Sequence, residues 1–278
     1  MPLGKSGQAG QRKEQDVNAD DPQRRGGNGR SLEGKVAIVT GSSRGIGATT
    51  AEVFAARGAT VILAARDEQA LVGVAEAIEA EGGRALVVPT DVNDAPSVER
   101  LVERSMEEFG RLDAAVNDAG GGHPPVPLAD LDPEEFDRIV GVNLRGVFLS
   151  MKYEIPAMLE AGGGAIVNMS STVGLRGWHG IGAYVAAKHG VIGLTESGAL
   201  DYADRGIRIN AIAAGSIMTD RIGALPEEQR APIAHAIPMH RIGLPQEVAA
   251  TAAWLCSTDA AFVTGAVVLV DGGQLARA

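Results

Sequence analysis

KVAIVTGSSRGIGATTAEVFAARG, residues 35–58, holds three patterns in succession. KVAIVT (35–40) is an apolar, β-branched run that reads as a buried strand. TGSSRGIG (40–47) follows, with glycines at 41, 45 and 47 that let the backbone turn tightly. GIGATTAEVFAARG (45–58) then reads as a helix that stops at Gly58. A buried strand passing into a helix through a glycine-rich turn is how an alternating α/β chain begins.

The alternation continues downstream. TVILAA (60–65) is a second strand, followed by a helix from about Asp67 to Glu81. ALVVPT (85–90) is a third strand, followed by a helix to about Phe109. LDAAVN (112–117), AIVNMS (165–170), IRINAI (207–212) and AVVLVDGG (266–273) supply the remaining strand signals. MKYEIPAML (151–159) belongs to a long helix with a kink expected at Pro156, and another helix covers 183–204. Continuous apolar strands separated by crossover helices imply a parallel sheet covered on both faces. No boundary divides the stretch from Leu32 onward. The expectation is one α/β, doubly wound (Rossmann-type) domain over 32–278, with a mainly parallel sheet of about seven strands.

Composition agrees with that class and excludes others. The 278 residues are 45% hydrophobic but only 4% aromatic, with 37 glycines, a balance suited to helices packed closely on a sheet. A formal net charge of −10 argues against nucleic acid, which calls for a basic surface. No apolar run approaches the ~20 residues of a membrane span. One cysteine, Cys256, permits no intrachain disulfide and fits a reducing, cytoplasmic setting. Residues 1–31 are polar and charged, expected to be a disordered extension, and lack the apolar region of a secretion signal. His235 and His240 have no carboxylate or cysteine cluster around them, so no metal site is expected.

Two stretches point to chemistry. A helix N-terminus behind the glycines at 41, 45 and 47 offers free N–H groups and a positive dipole end to a pyrophosphate. A plain tight turn is the competing reading, and the strand–loop–helix context disfavours it. After the second strand, LAARDE places Ala65 where a carboxylate would select an unphosphorylated ribose, and then Arg66. Arg66 and Arg44 suit a 2′-phosphate by charge and by bidentate geometry, so NADP(H) is expected ahead of NAD(H). Asp67, one residue later, is the competing acceptor. The second stretch is AYVAAKHG (183–190), where Tyr184 and Lys188 are four apart and share a helix face.

Together with MSSTVG (169–174), NDAG (117–120) and VNLRG (142–146), these motifs make the chain resemble the short-chain dehydrogenase/reductase family from about Leu32 to Leu275. That resemblance implies Tyr184 as general acid/base, Ser171 on the substrate oxygen, Lys188 supporting the tyrosine and the cofactor ribose, and Asn143 in a proton relay. It further implies cofactor contacts from Gly41, Ser43, Arg44, Gly45, Ile46, Gly47, Arg66, Asp91, Val92, Asn117, Gly120, Gly215, Ile217 and Thr219, besides Tyr184 and Lys188. Physically, a phenol with pKa near 10 needs about 4 kcal/mol of differential stabilisation to ionise near pH 7. The Lys188 ammonium and an oxidised nicotinamide ring are the expected sources.

Trp178 and His179 are candidates for the substrate mouth beside Ser171 and Tyr184, and His123 is a further candidate wall. The chain departs from the family pattern at Asp118, where asparagine is usual, and at Ala214, where proline is usual, which would loosen the loop to Thr219. Residues 220–239 resemble the family's variable lid. The resemblance implies an NADPH-dependent carbonyl reductase or secondary-alcohol dehydrogenase. The alternatives are an NAD-linked alcohol, sugar or diol dehydrogenase, and a cofactor-binding regulator without turnover. It also implies a homotetramer, or else a dimer, whose only other partner is a small carbonyl or alcohol.

Overall fold

The computed structural model describes residues 30–276. Seven strands form one sheet in the order β3-β2-β1-β4-β5-β6-β7. In chain order these are β1 (Val36–Thr40), β2 (Thr60–Ala65), β3 (Arg84–Pro89), β4 (Ala114–Asn117), β5 (Gly164–Ser171), β6 (Ile207–Ala214) and β7 (Val267–Val270). All six pairings are parallel, so the expected mainly parallel sheet is parallel throughout. The helices are α1 (Gly45–Ala56), α2 (Glu68–Ala80), α3 (Ala95–Phe109), α4 (Pro133–Val140), α5 (Gly146–Glu160), α6 (Gly182–Tyr202), α7 (Asp220–Gly223), α8 (Glu227–Ala236) and α9 (Pro245–Cys256).

Strand alternation divides the core into two layers. Ala37 and Val39 of β1 face α1, α2 and α9, where Phe54, Leu71, Ile78, Val248 and Leu255 are buried. Val36 and Ile38 face the layer of α3, α5 and α6, with Leu101, Ile155, Met158 and Val191. Burying each such side chain contributes about 1.5–3 kcal/mol. Both faces of the sheet are covered, which is why its strands read as unbroken apolar runs.

β1 lies between β2 and β4, so the chain's winding reverses between β1 and β4. Ligands of open α/β sheets bind at the carboxyl edge of such a switch point. The ends of β1, β4 and β5 therefore present the glycine loop, NDAG and MSS to one cleft.

α5 is the long helix expected around 151–159, with Pro156 inside it, and runs to Glu160. Before it, residues Gly141–Arg145 form a π turn continuous with α4 and α5. Such turns interrupt the helical repeat that sequence periodicity detects, and they are frequent at functional sites. The loop after Ala214 is held rather than loose. Gly215 N–H donates to Val270 O at 3.0 Å, Met218 N–H to Gly243 O at 2.8 Å, and Gly243 N–H to Ser216 O at 3.0 Å. Arg30 already accepts the Glu33 N–H ahead of Leu32, at 3.2 Å. The rest of the expected disordered extension, 1–29, lies outside the described residues.

Candidate active site

The glycine loop has no slack. A β-carbon on Gly47 would stand 2.4 Å from the Gly41 carbonyl oxygen, and one on Gly41, at φ +73°, would stand 2.8 Å from Ala119 N. Ser42, fully buried, ties the loop to β2 by accepting the Ala64 N–H at 2.9 Å. Thr40 Oγ1 accepts the N–H groups of Asp118 and Ala119 at 3.1 and 3.2 Å, joining the loop to NDAG. At α1, the N-cap residue Arg44 makes no side-chain cap and the first turn carries no acid. Gly47 N–H is taken by the Asp118 carboxylate, and the N–H groups of the turn before it are left to fit a pyrophosphate.

Arg44 and Arg66 are both exposed at the ends of the loop and of β2. Asp67 is committed elsewhere, capping α2 by accepting the Ala70 N–H at 3.1 Å. Asp91 Oδ1 accepts the Asn93 N–H at 2.9 Å. Val92 is buried against Gly146, where a β-carbon would meet its Cγ2 at 2.8 Å. Gly45 faces the Thr219 methyl at 3.5 Å (from an ideal β-carbon), Ile217 is buried, and Gly215 sits over Asp271. Gly45 and Thr219 thus bring the loop and the 215–219 segment together, with half-buried Ser43 and Ile46 in the loop itself.

At the reacting end, α6 supplies Tyr184 and Lys188 one turn apart. Lys188 is buried; its Nζ donates to Met169 O at 2.7 Å and lies 5.5 Å from the centre of the Tyr184 ring. Ser171, the last residue of β5, hydrogen-bonds the Tyr184 phenol. Ser170 instead donates to Lys188 O at 2.9 Å and is buried. Asn143 sits in the π turn, fully buried, donating Nδ2 to Gly121 O at 2.8 Å and Ile139 O at 2.9 Å. A β-carbon on Gly120 would stand 2.6 Å from Asn143 Oδ1 and 3.6 Å from Lys188 Nζ, so the two side chains flank one spot. Ser171, Tyr184, Lys188 and Asn143 are brought together.

In the chain alone, burial, with Asp118 adding to it, pushes the Tyr184 phenol up to about 12. Ser171 and Arg221 act in the other direction. Burial lowers Lys188 and raises Asp118, and each steadies the other's charge. The Asp118 carboxylate also accepts the Gly47 N–H, so it spans the glycine loop and the lysine.

Other candidates fall differently. Trp178 and His179 are exposed on the loop before α6, Trp178 by 61%, and make no hydrogen bond to the tetrad. His123 turns inward at 2% exposure, with Nδ1 on Pro124 O at 2.8 Å and Nε2 without a partner. The Asn117 side chain faces the core, donating to Glu154 Oε2 at 3.1 Å and Asn168 Oδ1 at 3.0 Å. It supports the cleft from beneath and does not line it. His235 and His240 stack on each other, ring centres 5.7 Å apart. Ser42, Glu154 and Arg221 went unseen in sequence because nothing in their local pattern marks contacts made across the fold.

Among the described residues no helix is long and apolar enough to cross a membrane. A family model described as enoyl-(acyl carrier protein) reductase matches residues 41–274. The chain is 44% identical to the cis-4-hydroxycyclohexanecarboxylate dehydrogenase of Sinomonas cyclohexanicum, over 89% of this chain and 99% of that one. Levodione reductase superposes with a TM-score of 0.85 at 37% identity, covering 89% of this chain and all of that one. A 2-deoxy-d-gluconate 3-dehydrogenase structure from Agrobacterium tumefaciens with bound NADP superposes at 0.82 and 34% identity, covering 90% and 100%. With its parallel seven-stranded sheet and these relatives, the chain belongs to the short-chain dehydrogenase/reductase family of oxidoreductases.

Proposed function

We propose that the protein transfers a hydride between NADP(H) and a carbonyl or secondary-alcohol carbon, with Tyr184 giving or taking the proton of the substrate oxygen. The observation that carries this reading is the convergence of Ser171, Tyr184, Lys188 and Asn143 on one spot beside a glycine-rich helix start whose N-cap side chain makes no capping bond. The cofactor, when bound, supplies the hydride donor or acceptor and, oxidised, a positive ring near the phenol. The protein's own work is positional and electrostatic. Ser171 donates a hydrogen bond to the substrate oxygen, and Tyr184 moves the proton. Lys188, fixed by Met169, keeps a cation under the phenol ring. Asn143, with both Nδ2 hydrogens on backbone carbonyls, fixes the 120–121 turn, and its Oδ1, on the side of Lys188, accepts the Gly121 N–H at 3.2 Å.

NADP(H) rather than NAD(H) is favoured because Arg44 and Arg66 are exposed where a 2′-phosphate would lie, and Asp67 is occupied as a cap. Cyclic ketones and alcohols are the first substrates to try, on the names of two relatives. A homotetramer is favoured by the large apolar side chains left exposed on α5, α6, α9 and β7, among them Phe148, Leu200, Trp254 and Leu269. Light scattering that reads a monomer at micromolar concentration rules the assembly out.

The test of the reaction is the absorbance change at 340 nm with NADPH or NADH against ketones, and in reverse against alcohols. Turnover that is abolished in Tyr184→Phe, with cofactor affinity retained, is the expected result. Near-wild-type turnover in that variant overturns the role of Tyr184.

A further inference from the structure

Arg221 lies on α7, two residues beyond Thr219. Its Nη1 rests against Gly122 so closely that a β-carbon there would stand 2.9 Å away. Gly122 ends the glycine run whose first member, Gly120, makes room for Asn143 and Lys188. The same three-residue segment thus seats the tetrad at one end and a guanidinium at the other. The charge of Arg221 also lowers the pKa of the Tyr184 phenol, in keeping with its seat on the segment that holds the tetrad. Thr219, by contrast, is the residue that meets the glycine loop, at Gly45.

Sequence 220–241 contains three arginines. Arg230 pairs with Glu227 at 2.7 Å and Arg241 with Glu247 at 2.6 Å. Arg221 has no ion pair or hydrogen bond among the described residues. A planar guanidinium is built to take a carboxylate through two parallel hydrogen bonds. In a chain of net charge −10, an anionic substrate meets general repulsion and needs a local cation to be held.

We propose that Arg221 recognises a carboxylate on the substrate, so that the compound turned over is a keto acid or the matching hydroxy acid. Its oxo or hydroxyl oxygen lies at Ser171 and Tyr184, and its carboxylate at the lid. This rests on the oxidoreductase reading above and narrows it. Arg221 would then set specificity by closing α7 onto an acid and leaving neutral ketones loosely held.

The experiment compares kcat/KM for 4-oxocyclohexanecarboxylate with that for its methyl ester, which keeps the ring and removes the charge. Wild type should favour the acid by about tenfold or more, Arg221→Gln should erase that ratio, and Arg221→Lys should keep part of it. Raising the salt concentration should erode the preference in wild type alone. Equal values for acid and ester in wild type overturn the proposal while leaving the hydride-transfer reading intact. So does an Arg221→Gln variant that loses NADPH affinity but keeps the ratio, because the arginine then serves the cofactor. If neither compound turns over, calorimetry with cyclohexanecarboxylate and cyclohexanecarboxamide on the NADP⁺-loaded protein gives the answer. Binding of the acid that is lost in Arg221→Gln supports the proposal; identical binding by both proteins, or no preference for the acid, ends it. Failure of the hydride-transfer reading is seen separately, as loss of all ketone and alcohol turnover in wild type.

Discussion

The Lys188 ammonium donates to the Met169 carbonyl at 2.7 Å and lies 5.5 Å from the ring centre of Tyr184, so β5 fixes the cation that α6 holds against its own phenol. Burial makes that cation costly to keep, and its pKa is lowered as a result. Lys188→Met keeps the stem and removes the charge. The methionine has no charge to desolvate, but it leaves Asp118 buried without its cation and Met169 O without its donor. The variant's thermal midpoint should therefore fall at pH 8 and fall less at pH 6, where Asp118 can take up a proton. Its kcat/KM should fall by more than about tenfold, as expected for loss of a group acting on the proton donor. Thermal melts and steady-state kinetics on the same preparation check both halves. Activity that falls only in step with the folded fraction would mean the lysine is merely structural.

Asp118 raises the pKa of Tyr184, and Arg221 lowers it. Alcohol oxidation needs the phenolate, so Asp118→Asn should shift the acid limb of the kcat/KM profile to lower pH. A shift of about half a unit or more is expected from removing one buried neighbouring charge. Arg221→Gln should move the same limb to higher pH. Opposite movements are hard to produce by general loosening of the fold. Movement in the same direction would show that neither charge acts on Tyr184.

Much of this was legible in sequence because the relevant signals are local. The apolar runs 36–40 and 60–65 became adjacent parallel strands, and the glycines of 41–47 became the turn between β1 and α1. Tyr184 and Lys188 had to share a face once 183–204 was a helix. The π turn was hidden, because one residue more per turn leaves no periodic trace in five residues. Arg221, and the contacts of Asp118, which stood out only as a departure from the family pattern, were hidden differently. One meets Gly122 and the other Gly47, positions far away in the chain, and only the packed fold brings them there. The upward push of burial on Tyr184 was hidden for a related reason: the spacing of residues reveals a neighbouring cation but not how far the phenol is withdrawn from water.

Cofactor choice is tested at Arg66. It is exposed just past the end of β2, and Asp67 is held by α2 as its N-cap. Arg66→Asp replaces a phosphate partner with a repelling carboxylate. kcat/KM for NADPH should drop by about tenfold or more, while NADH should change little or improve. An equal effect on both cofactors would mean that Arg66 does not read the 2′ position. A wild-type protein that uses NADH at least as well as NADPH would reverse the cofactor assignment altogether.

Glu154 makes the pH dependence of stability a test of the sheet beneath the site. It is 1% exposed, accepts Asn117 Nδ2 through Oε2, and has Oε1 without a partner. Burial pushes its carboxyl up to about 7 from an ordinary 4.5. Between those values the native protein holds a proton that the unfolded chain has released. Stability therefore falls as pH rises through that window, is full below it, and is lost above it. The loss is at most on the order of 3 kcal/mol at about 1.4 kcal/mol per unit. Glu154→Gln keeps a carbonyl oxygen for Asn117 and removes the titration. The drop in thermal midpoint from pH 5 to pH 8 should then be smaller than in wild type by several degrees, at about 2–4 °C per kcal/mol for a domain of this size. Equal drops in the two proteins would mean that Glu154 does not change its proton occupancy on unfolding in that range.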